Sequence, residues 1–154
     1  MKHLLPLITL LFIVCAQTLN SQDYHSIKQH ERPPIALYPI PLDAFEAGKM
    51  LIKIREDLHY ILPDVQLKAH DRGFVSTGIS NLDVLNELFM VDEYNPFFSS
   101  LYHTNYEAHL YRERHKAWGF HLWFELTLHS TTDIIDAVLQ FRGLEEIEFA
   151  EPVY

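Results

Sequence analysis

Residues 130–154 read STTDIIDAVLQFRGLEEIEFAEPVY. Ser130 and Asp133 stand in capping-box spacing, and Gly143 can close the helix they would open. Ile135, Val138 and Leu139 supply its apolar stripe. After Gly143 the segment EEIEFAE alternates, which predicts a strand with Ile147 and Phe149 inward and Glu146 and Glu148 outward. The strand then runs straight into Glu151-Pro152. A helix, a tight turn, an acidic-hydrophobic strand and a proline-bearing tail together form the second half of an α/β unit.

Working outward, FHLWFELTL (120–128) alternates in the same way. Leu122, Phe124, Leu126 and Leu128 fall on one side, and His121, Trp123, Glu125 and Thr127 on the other. Before it, NYEAHLYRERHKAW (105–118) is charged and has no breaker until Gly119, so it reads as a solvated helix stopped by that glycine. MVDEYNPFF (90–98) reads as extended, and Pro96 makes it an edge or a strand end. SNLDVLNELFM (80–90) repeats the capping spacing with Ser80 and Asp83, followed by Leu82, Leu85 and Leu88 with Phe89 beside them. KMLIKIRE (49–56) is a half-buried strand: Met50, Ile52 and Ile54 share one face, and Leu51, Lys53 and Arg55 the other.

The order is strand, helix, strand, extra helix, strand, helix, strand. Two strand-helix-strand units in succession suit an α+β, ferredoxin-like architecture. Its antiparallel sheet would carry the two main helices on one face, with the extra helix between strands 2 and 3. The other face would be left bare, holding Leu51, Lys53, Trp123, Glu125, Glu146 and Glu148. Such a face is either a docking surface or an ordinary exposed one, since single apolar surface residues are common.

The amino end has a different character. Lys2 precedes LLPLITLLFIV, which is too short to span a bilayer and reads as a secretory signal over residues 1–16. Cleavage is expected between Ala16 and Gln17, or as late as residue 21. Cys15, the single cysteine, would leave with it, and an exported chain without disulfides must hold together by its core. Residues 17–44 form a polar and then proline-containing extended leader, and the globular part is expected over 45–154. These features predict an exported protein, periplasmic, cell-surface or extracellular, with no stable membrane span.

The chain has 154 residues, 48% hydrophobic and 21% charged, a one-domain composition able to build a core. Its net charge is -9, which argues against a nucleic-acid partner. No G-x-S-x-G and no phosphate-cradling glycine loop is present. Asp71 in HDRGF has no serine in a glycine-rich turn to accompany it. The ten histidines include His103, His109, His115 and His121 at steps of six, which do not share a helix face. Neither a metal site nor a cofactor nor an active site within this chain is expected. The closing acids Glu145, Glu146, Glu148 and Glu151 fit a solvated strand edge, or carboxylates set to meet helix N-termini of another domain.

GLEEIEFAEPVY resembles the end of the N-terminal propeptide of subtilisin-like serine proteases. That propeptide closes with a helix, a glycine or proline turn, an acidic-hydrophobic strand and a Glu-Pro-x-Tyr tail. MLIKIRE resembles its first strand, and GISNLDVLNELFMVDEYNPFF its first helix and second strand. ERHKAWGFHLWFELTL is similar to its basic helix, aromatic-glycine turn and third strand. The likeness covers roughly Ala47 to Tyr154. It implies the ferredoxin-like fold and a domain that guides folding of a protease and inhibits it until cut away. The open sheet face would pack on two parallel helices of the protease domain, acting in cis or in trans. The tail would lie in the substrate cleft as an added strand. Carried over, Phe149, Glu151, Pro152, Val153 and Tyr154 form the strand end and the approach to the cleft, with Pro152 stiffening it. A catalytic domain bearing Asp, His and Ser is then expected downstream or encoded separately. The rival expectation is an exported ferredoxin-like module that binds another protein through the same sheet, unrelated to proteolysis.

Overall fold

The computed structural model describes residues 36–38, 40–71, 73–99 and 106–154. The signal segment, its Ala16–Gln17 junction and the leader up to residue 35 lie outside the described residues. Within them the fold is α+β, with a five-stranded antiparallel sheet and three helices. The strands are β1 (Lys49–Ile54), β2 (Leu67–Lys68), β3 (Glu93–Pro96), β4 (Trp123–Thr127) and β5 (Ile147–Pro152). The helices are α1 (Ser80–Leu88), α2 (Tyr106–Ala117) and α3 (Ile134–Arg142). The sheet order is β2-β3-β4-β1-β5.

Period-two patterning sets the sheet's two sides. Met50, Ile52 and Ile54 of β1 are fully buried, as are Phe124 and Leu126 of β4 and Tyr94 of β3. The register sets Met50 opposite Leu126 and Ile52 opposite Phe124, so these side chains share a face. Onto that face α1 brings Leu82 and Leu85, and α3 brings Ala137, Val138 and Phe141. The rings of Phe89 and Phe141 meet at 6.2 Å where the two helices come together.

The helices start differently from the expectation. Neither Ser80 nor Ser130 is a cap. In α3 the cap is Asp133, which accepts from the N–H groups of Ile135 and Asp136. In α1 the residue before the helix is Ile79, with no side-chain cap. Asp83 instead reaches back, accepting from Ser76 Oγ (2.8 Å), Thr77 Oγ1 (2.7 Å) and the N–H groups of Thr77 (2.6 Å) and Gly78 (3.2 Å). Burial opposes the charge of Asp83, but these donors outweigh it and lower its pKa. Shifting the start of α3 also shifts its buried stripe, to Ile134, Ala137, Val138 and Phe141, and leaves Leu139 exposed. Leu88 is likewise exposed, and Phe89 takes the inward place.

Three further corrections concern the sheet and the leader. The platform has five strands, not four: β2 pairs with β3 through Leu67–Tyr94 and Lys68–Glu93. Two residues are too few to print an alternation. In β5 a bulge between the Lys53–Phe149 and Ile54–Ile147 pairs changes the phase of the strand. Ile147, Ala150 and Pro152 face the helices, and Phe149 faces the other way. The packed region also begins before Phe45: Leu37 is buried in the core, and Ile40 packs against it. A proline-containing segment can still place one apolar side chain inward.

Candidate functional site: the second face of the sheet

The face away from α1 and α3 is not bare. Trp123 is its centre, directly opposite Lys53 on β1. One side of the Trp123 ring meets Phe149 at 5.4 Å, and Phe98 stands edge-on at 6.4 Å. Phe98 stacks on Phe120 at 4.7 Å and touches Phe97 at 4.9 Å; Phe120 meets Trp118 at 5.7 Å. These side chains form a continuous aromatic band from the end of β3, across β4, to β5. Phe97 and Trp118 are 43% and 41% exposed, and the rings between them are half-buried. Offset and edge-on ring pairs of this kind add to simple burial.

The band forms because α2 ends in a turn at Trp118 and Gly119. Gly119 has φ 72°, a left-handed conformation that glycine adopts without strain. A Cβ there would come within 3.3 Å of both Lys53 Cε and Leu122 Cδ1. The turn therefore lies directly on Lys53, which is only 5% exposed. Its ammonium is neutralised by Glu148 Oε2 at 2.6 Å, the pairing a buried charge requires. Lys53 was expected to face a partner openly. The structure places it on the expected side, but beneath this turn.

The remaining predicted face residues divide. Leu51 is half-buried, with Glu125 and Glu151 opposite it on the two flanking strands. Lys49 bridges Glu125 (3.7 Å) and Glu46 (2.9 Å). This end of the face is thus an acidic border around one leucine. Glu146 does not belong to the face at all. It precedes β5 and turns to α1, where Asn81 Nδ2 donates to its Oε1 at 2.7 Å.

The tail is less free than expected. Pro152 is buried opposite Met50. Val153 donates its N–H to the Lys49 carbonyl (3.3 Å), and its own carbonyl accepts from Glu46 N–H (2.8 Å). Tyr154 is 55% exposed and leans its ring on Phe45 at 5.4 Å. Phe149 and Glu151 are strand residues whose side chains belong to the second face. Of the five tail residues, Tyr154 alone projects from the strand.

Four aromatic members of the band, Phe97, Phe98, Trp118 and Phe120, were missed from the sequence. Their signal was the aromatic density of NPFF and WGF flanking two strands. Below the band, His121 and His59 meet edge-on at 5.6 Å, with His59 Nδ1 2.8 Å from the Glu56 carbonyl. Burial lowers the His121 pKa first, and the neighbouring His59 adds to it.

No described helix is long and apolar enough to cross a membrane, and no group of three or more metal-ligating side chains comes together among the described residues. No protein-family model matches the chain, and it matches no curated protein and no solved structure.

Proposed function

We propose that this chain is an exported propeptide domain that assists folding of a subtilisin-like serine protease and restrains it until removed. One observation carries the reading. Leaving β2 aside, the strands run β5-β1-β4-β3, all neighbours antiparallel, with α1 and α3 on one face. Numbered by chain order among those four, this is 4-1-3-2, an order that supports reading the fold as the split βαβ, ferredoxin-like sandwich that the propeptide resemblance implies. The two-residue β2 extends that platform at its β3 edge. The protease domain, in the same precursor or supplied separately, would cover the second face and meet the aromatic band and the acidic border of Glu125 and Glu151. Only Tyr154 and any residues after it would enter the cleft, since Pro152 and Val153 are held by β1.

The test is refolding. Residues 17–154 are added to a denatured subtilisin-like catalytic domain, and separately to the active enzyme. A gain in recovered activity together with slowed turnover is expected. Neither effect, with a panel of such domains, would remove the proposal.

A second reading rests on the band itself. Phe97 and Trp118 stay substantially exposed at the rim of an otherwise well-packed cluster, as interface aromatics do. This suits an exported binding module for a protein unrelated to proteolysis. Crosslinking through a photoreactive residue at position 97, in the exporting cell, separates the two. Capture of a protease domain supports the first reading, and capture of any other protein the second.

A further inference from the structure

We draw no further inference here: the strongest candidate, the exposed rim of the aromatic band at Phe97 and Trp118 on the second face of the sheet, belongs to the site already described, and nothing in the structure shows what covers it.

Discussion

The two faces of the sheet are built from the same strands and end in different states. On the helix side, Met50, Ile52, Phe124 and Leu126 are sealed under α1 and α3. On the second side, Leu51, Trp123 and Phe149 alternate with them residue by residue, yet none is fully covered. The sealed side holds one buried polar chain, Tyr94 Oη to Asn86 Oδ1 (2.7 Å) and Asn86 Nδ2 to the Val75 carbonyl (3.0 Å). The second side holds an ion pair, an acidic border and a band of rings. One face is fully sealed. The other leaves Leu51, Trp123 and Phe149 half-buried and Phe97 and Trp118 exposed at its rim.

The largest expected effect tests that division directly. Phe124 and Trp123 are neighbours in β4 pointing to opposite faces. Phe124→Ala should cost about 3–5 kcal/mol, the usual range for a fully buried aromatic. Trp123→Ala should cost roughly half or less, because part of its ring surface is already hydrated, while weakening any docking to this face. Chemical denaturation of both variants measures the difference. Equal losses would mean that the second face is as much a core as the first.

Why one face was legible in the sequence and the other was not follows from the same pair. Alternation in 49–54 and 123–127 prints the inward side unambiguously, because every inward residue is apolar. The outward side mixes Leu, Lys, Trp and Glu, and alternation alone is silent about what comes to lie on it. Phe98 reaches Trp123 from the segment after β3, and Phe120 stacks on Phe98 from the turn after α2, contacts that no local period encodes. The placement of Lys53 depends on Gly119, more than sixty residues away. Phe149 and Glu146 depart from the alternation for different reasons: a bulge between residues 147 and 149 changes strand phase without any residue-type signature and moves the later side chains to the opposite face, whereas Glu146 precedes β5 and is drawn to Asn81 of α1. The caps failed more mildly. Asp83 and Asp133 were the right residues, but the serines three positions before them were given the capping role.

Tyr94→Phe sharpens the account of the sealed side. It leaves the ring in place and strips the partner from Asn86 Oδ1 in a fully buried setting. A loss of about 1–3 kcal/mol is expected, the cost of a stranded polar group. A calorimetric melt that is unchanged would place water at that oxygen. Gly119→Ala acts on the other side alone. The left-handed φ and the contact with Lys53 together predict a loss of about 1–2 kcal/mol. It should be accompanied by increased solvent exposure of the Trp118 and Trp123 fluorescence, with the near-ultraviolet signal of Tyr94 preserved. Loss of the Tyr94 signal as well would show that the two faces do not loosen separately.

The smallest effect is the pH dependence of the second face. His121 sits just before Trp123, half-buried, with His59 edge-on and Lys116 also near; Asp64 and Glu56 oppose them. Burial, His59 and Lys116 together outweigh the acids, so the folded-state pKa lies below the ordinary imidazole value. The unfolded chain therefore takes up the proton first. The stability His121 contributes is complete above about pH 6.5, the unfolded value. It declines as pH falls toward and through the lower folded value, and below that no more is lost. Melting temperature should drop between neutral and mildly acid pH, and His121→Asn should remove most of that drop while leaving the acid loss at Asp83 in place. Asp83 behaves in the same direction at lower pH: its folded pKa is depressed, so its contribution persists until the carboxylate is protonated. Two separate acid steps, the upper one abolished by His121→Asn and the lower one by Asp83→Asn, would assign the first to the aromatic face and the second to the start of α1. A single step unaffected by His121→Asn would mean that the ring pair is already solvated and that the second face has no titrating support of its own.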